Sequence, residues 1–118
     1  MDFDKLCQEI MNLNPKIRYA SIYNNNGEQK YGQRDESTDL LTPEENKQSI
    51  SQSLAIWTLR KSLSSKLGRG KYAMAEYEKV KRITIPLENN NLLLITVEVE
   101  ADHTNIINQI LDVIKNYS

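Results

Sequence analysis

The chain has 118 residues, 39% hydrophobic and 26% charged, with a formal net charge of −1. That length and composition fit one globular domain spanning residues 1–118 and exclude a disordered chain. A lone cysteine, Cys7, excludes an intramolecular disulfide framework and any multi-cysteine zinc site.

A chain this long buries a little under ~70% of its unfolded surface, so it needs no disulfide or metal to fold. Nothing approaches the ~18 consecutive apolar residues of a membrane span. The start, Met1-Asp2-Phe3-Asp4-Lys5, lacks the basic and then apolar run of a secretory leader. A soluble, cytoplasmic chain is expected. Its charge is uneven: residues 1–59 are net −3, residues 60–82 net +6 and residues 83–118 net −4.

Phe3, Leu6, Cys7, Ile10 and Leu13 recur at helical spacing, so the chain opens with a helix. Asp2 is its expected N-cap and Asn14-Pro15 its stop. Cys7 falls in the apolar stripe and reads as a small core residue. Ile17–Tyr23, rich in β-branched and aromatic residues, reads as a strand. Asn24-Asn25-Asn26-Gly27 supplies the positive φ angles of a hairpin turn. A more polar strand returns from Glu28 to Gly32 or Gln33, and a polar connector follows from Arg34 to Leu41.

Thr42-Pro43-Glu44-Glu45 is a capping box with proline at the first helical position. The helix it opens is expected to run to about Leu67, with Gly68 as a left-handed C-cap. Its apolar residues form two stripes: Ile50, Leu54 and Trp57, and nearly opposite them Ile56, Leu59, Leu63 and Leu67. One stripe suffices to cover a sheet, so the other needs a partner.

Three strands follow: Lys71–Tyr77, Val80–Leu87 after the tight turn Glu78-Lys79, and Leu92–Val99 after Asn89-Asn90-Asn91. The last is apolar on both faces, as in a central strand covered by helices on each side. Asp102 caps a final helix whose stripe is Ile106, Ile107, Ile110, Leu111, Ile114 and Tyr117.

The order α-β-β-α-β-β-β-α predicts an α+β sandwich. Only the middle helix is long enough for a crossover, so two antiparallel ribbons join one five-stranded sheet. This element order resembles that of roadblock/LC7 domains over essentially the full length. Leu67-Gly68-Arg69-Gly70-Lys71-Tyr72, Glu78-Lys79-Val80 and Ile83-Thr84-Ile85-Pro86-Leu87 also resemble a small archaeal group of this architecture. The resemblance implies a roadblock/profilin-like sheet of order 2-1-5-4-3, with the middle helix on one face and the terminal helices on the other. It further implies a non-enzymatic scaffold that forms homodimers through the middle helix and third strand, with a small GTPase or a larger assembly as partner. Taking Ile50, Leu54 and Trp57 as the surplus stripe, the expected dimer interface is Ile50, Leu54, Trp57, Lys61, Tyr72 and Met74.

The basic block has two readings. Arg69, Lys71, Lys79, Lys81 and Arg82 either dock an anionic protein partner or guard an exposed strand edge against aggregation.

Little else carries chemistry. His103 with Glu98, Glu100 and Asp102 invites a metal site, but Asp102 is committed to capping and strand-end glutamates are commonly just solvated. Gly68-x-Gly70 follows a helix and lacks the third glycine and the Gly-Lys-Ser/Thr ending of phosphate loops. Asn116-Tyr117-Ser118 matches a glycosylation sequon, which is accidental in a chain that is not secreted. Lys79, Lys81 and Arg82 lie near Tyr72 and Tyr77, yet an isoelectric point of 5.8 and a single phenylalanine offer no stacking platform for nucleic acid. No catalytic residue, cofactor or metal is therefore assigned. The alternative to a scaffold is a PAS- or profilin-like sensor holding a small molecule between sheet and helix.

Overall fold

A computed structural model describes residues 1–34 and 40–117, the side chains of Gln33 and Arg34 excepted. Most of the expected connector and Ser118 lie outside the described residues.

Three helices begin where local hydrogen bonding dictates. The Asp2 carboxylate accepts from the Lys5 amide to start α1 (Phe3–Met11), and Asp102 accepts from Asn105 to start α4 (His103–Lys115). Thr42 and Glu45 complete a reciprocal capping box at the head of α2 (Pro43–Lys61), at 3.1 and 2.9 Å. Such caps contribute about 1 kcal/mol each.

The strands are β1 (Ile17–Tyr23), β2 (Gln29–Arg34), β3 (Ala73–Glu76), β4 (Val80–Pro86) and β5 (Leu92–Glu98). They form one antiparallel sheet in the order β2-β1-β5-β4-β3, the order that the resemblance implies. β5 is central, and its alternate residues feed two cores. Leu93, Ile95 and Val97 join Ala20, Ile22, Ile83 and Ile85 beneath α1 and α4, which contribute Leu6, Cys7, Ile10, Ile106, Ile107 and Ile110. On the other face the core is thin: Leu94, Tyr23 and Ile50 are buried, with Tyr19 and Leu54 packed alongside. A register shift between Ile17 and Tyr19 lets Ile17 face the larger core while Tyr19 faces α2.

The middle helix is shorter than its periodicity predicts. α2 stops at Lys61, and a separate turn, α3 (Ser64–Leu67), follows. The Ser62 and Ser64 hydroxyls donate to the carbonyls of Leu59 and Lys61 at 2.6 and 2.8 Å, offering the backbone the local alternative that interrupts helices. Gly68 does take a positive φ, but at φ 83° and ψ 176° it extends the chain instead of forming a left-handed cap. β3 is shorter than expected because only Ala73–Glu76 pair with β4. No helix among the described residues is long and apolar enough to cross a membrane.

Candidate interaction surface

α2 is held to the sheet by few contacts, each specific. Ile50 is 1% exposed and packs on Tyr23 and Leu94. Trp57 donates its indole N–H to the Thr84 hydroxyl on β4 at 2.9 Å, and its ring carries the Arg60 guanidinium 4.8 Å from the centroid. Lys61 donates to the Asn90 side chain at 3.0 Å. Asn46 donates to the Tyr23 hydroxyl at 3.2 Å. The backbone at Gly70 lies against the Trp57 ring, where a Cβ would sit only 2.6 Å from it.

This arrangement reverses the expected roles of the two stripes. Ile50, Leu54 and Trp57 face the sheet, so they are not the surplus surface. The outward stripe is Ile56, Leu59, Leu63 and Leu67, which are 44, 70, 53 and 79% exposed. The inward choice has a polar cause. Trp57 finds an acceptor in Thr84, and the first turns of α2 place Asn46 over Tyr23. The opposite stripe has nothing but aliphatic atoms to offer a sheet face that carries hydroxyls.

The remaining expected interface residues divide. Tyr72 is 47% exposed, just before β3. Met74 is half-buried against the α1/α4 core, on the opposite side of the sheet from α2. β3 ends the sheet, and its outer edge is unpaired among the described residues. Exposed aliphatic side chains on α2 and α3 thus accompany an open strand edge.

The basic residues do not form one patch. Arg69, Lys71 and Lys79 are exposed. Lys81 is not: it is 6% exposed, and its ammonium donates to the Ala101 carbonyl at 2.8 Å and meets His103 Nδ1 at 2.9 Å. A partner cannot dock on it. Strand alternation carried the signal, because Lys81 shares parity with Ile83 and Ile85 on the core face. Arg82 points to the α2 face, where it donates to the Asn46 side chain at 3.3 Å.

The acidic residues near His103 are each engaged separately. Glu98 pairs with Arg18, Glu100 lies 3.6 Å from Lys16, and Asp102 caps α4. Among the described residues no three His, Cys, Asp or Glu side chains converge as a metal site would require.

No protein-family model and no curated protein matches the sequence. Solved structures do match in shape. A roadblock/LC7 domain from Streptomyces avermitilis superposes with a TM-score of 0.69 at 15% identity, covering 99% of this chain and 98% of that one. The fold is that of the roadblock/LC7 domain. MglB of Myxococcus xanthus shares it at a TM-score of 0.69 and 9% identity, with 99% and 94% coverage. Another similar structure, at a TM-score of 0.63 and 11% identity with 98% and 89% coverage, is described as MglB with a tetrameric arrangement.

Proposed function

We propose that the chain is a non-enzymatic interaction module that self-associates through the outward face of α2–α3 and the edge of β3. One observation carries the reading: four large aliphatic side chains, Ile56 and Leu59 on α2, Leu63 just after it and Leu67 on α3, are exposed along one stretch of chain. A lone exposed leucine is ordinary, whereas a contiguous apolar stripe marks an association surface. On two copies these side chains offer on the order of 10 kcal/mol of apolar burial. That is comparable to an association cost of about 4–15 kcal/mol. Pairing of two β3 edges would contribute the rest, with Tyr72 beside it.

Sedimentation equilibrium tests the reading. The wild-type chain is a dimer at micromolar concentration, and Leu59→Glu is a folded monomer. A 13.6 kDa species at high concentration for the wild type, or a Leu59→Glu dimer of unchanged affinity, would overturn it.

Regulation of a small GTPase, or adaptation of a larger assembly, is the activity that the resemblance implies for such a module. Its docking cations are here Arg69, Lys71 and Lys79, the members of the basic block that are exposed. Affinity resting on them falls as ionic strength rises and the Debye length shrinks toward ~8 Å.

A further inference from the structure

Beneath the first turns of α2 a cleft of about 380 Å³ opens onto the sheet. Its floor is a row across three strands: Tyr19 of β1 lies opposite Thr96 of β5, and Thr96 lies opposite Arg82 of β4. Its walls bring in Tyr23, Asn46 and Lys47, and its rim is apolar, formed by Leu40, Leu41, Pro43 and Val80. Among the described residues lining it there are two cations and no aspartate or glutamate. Among the described residues Arg82 makes no ion pair with a carboxylate, and its side-chain hydrogen bond goes to the neutral Asn46 side chain.

The polar groups of the cleft are wired in one direction. Arg82 has only donors, so it takes the Asn46 carbonyl oxygen and turns the amide nitrogen toward the Tyr23 oxygen. The Tyr23 hydroxyl, 3% exposed as a residue, sits 2.6 Å from that of Tyr19. Burial, and then the bond to Tyr19, push the Tyr23 hydroxyl up to about 12, so it keeps its proton. With Tyr23 donating to Tyr19, the Tyr19 proton is released toward the cleft. Arg82, Lys47 and the Tyr19 hydroxyl then offer a donor or a positive charge to the same space.

We propose that this cleft binds a small organic oxyanion: a carboxylate or phosphate carried on a compact apolar body. The anion sits by Arg82 and the Tyr19 hydroxyl, with Lys47 at the mouth, and the apolar body lies against the leucine and proline rim. The volume falls within the range of roughly 300–1,000 Å³ typical of small-molecule sites. This inference is independent of the self-association proposed above, which uses the opposite face of α2.

Titrations of the ¹⁵N-labelled full chain with benzoate, phenyl phosphate and benzyl alcohol, followed by amide chemical shifts, test it. Benzoate or phenyl phosphate should move the Asn46 side-chain amide and the backbone signals of Tyr19 and Thr96, and whichever binds tighter names the anion class. Benzyl alcohol, of similar shape but uncharged, should bind at least about tenfold more weakly, the factor that a lost charge-assisted bond represents. Arg82→Gln should weaken the anion about tenfold or more, Tyr19→Phe severalfold, and Lys66→Gln, at an exposed position outside the cleft, not at all. Equal response to the alcohol, shifts mapping elsewhere, no response at ~10 mM, or unchanged affinity in both a folded Arg82→Gln and a folded Tyr19→Phe would each overturn the proposal.

Discussion

Gly70→Ala isolates what holds α2 to the sheet. The added Cβ falls 2.6 Å from Cζ3 and 3.2 Å from Cη2 of Trp57, whereas carbon atoms rest about 3.5–4.0 Å apart. The ring therefore has to retreat by about 1 Å. It is not free to do so, because its N–H is fixed on Thr84 at 2.9 Å and Arg60 lies over its face. Overpacking of this kind costs about 1–3 kcal/mol. A broken neutral hydrogen bond adds about 1 kcal/mol. A loss of about 2–3 kcal/mol should lower Tm by roughly 8–15 °C in a chain of this size. Trp57 is the only tryptophan, so its fluorescence reports the displacement directly. In a Trp57→Leu background the alanine should cost little, giving a coupling of about 2 kcal/mol. Gly68→Ala is the contrast: its φ is 83° but no atom lies within 4 Å of the added Cβ, so its cost is backbone strain and is indifferent to Trp57. An unchanged melting curve and emission for Gly70→Ala, or an equal cost without the indole, would refute the packing argument.

Cys7 should resist alkylation in the native state at pH 8.5 and react fully in denaturant, because burial, with the Asp4 charge adding to it, pushes its thiol up to about 12. As pH rises from about 9 toward 12 the unfolded thiol releases its proton first, so stability falls across that window, and Cys7→Ala should flatten the slope measured by urea unfolding. Lys81→Met keeps the buried stem but leaves the Ala101 carbonyl without its donor, which should cost about 1–3 kcal/mol. Lys79→Met, at an exposed position, should stay within about 0.5 kcal/mol, and equal melting points for the two variants would contradict the structural role of Lys81.

The parts of the fold that were legible in the sequence are those decided locally. Asp2, Thr42 with Glu45, and Asp102 cap helices through bonds spanning three residues, so short sequence patterns reveal them. Leu92–Glu98 announces a central strand because both its faces are apolar. The orientation of α2 was not legible, because the longer apolar stripe is the one left outside. What turns the helix over is a set of partners remote in the chain: Thr84 lies 27 residues from Trp57, and Tyr23 lies 23 from Asn46. No periodicity encodes them. The cleft escaped notice for the same reason. Tyr19, Thr96 and Arg82 come from three strands and meet only once the register of the sheet is set.

These observations make α2 the hinge of the molecule's energetics. The helix has 19 residues and one that is fully buried, Ile50, so its attachment rests on a thin apolar contact and a few directed hydrogen bonds. A second copy on the outer surface would remove Ile56 and Leu59 of α2, and Leu63 and Leu67 beyond it, from water without disturbing any of those bonds, because Ile56 and Leu59 lie on the face of α2 opposite the sheet contacts. Anything that binds only the docked helix shifts the balance toward it by mass action. The proposed anion would do so from beneath only if Arg82 kept its bond to Asn46 while holding it. A partner protomer on the outer stripe would do so from above. If both bind the docked helix alone, they need not touch for each to favour the state that the other requires, and the coupling between them would be limited by how often α2 leaves the sheet unaided. The thinness of the core under α2 is therefore what would let the outer and inner surfaces sense one another.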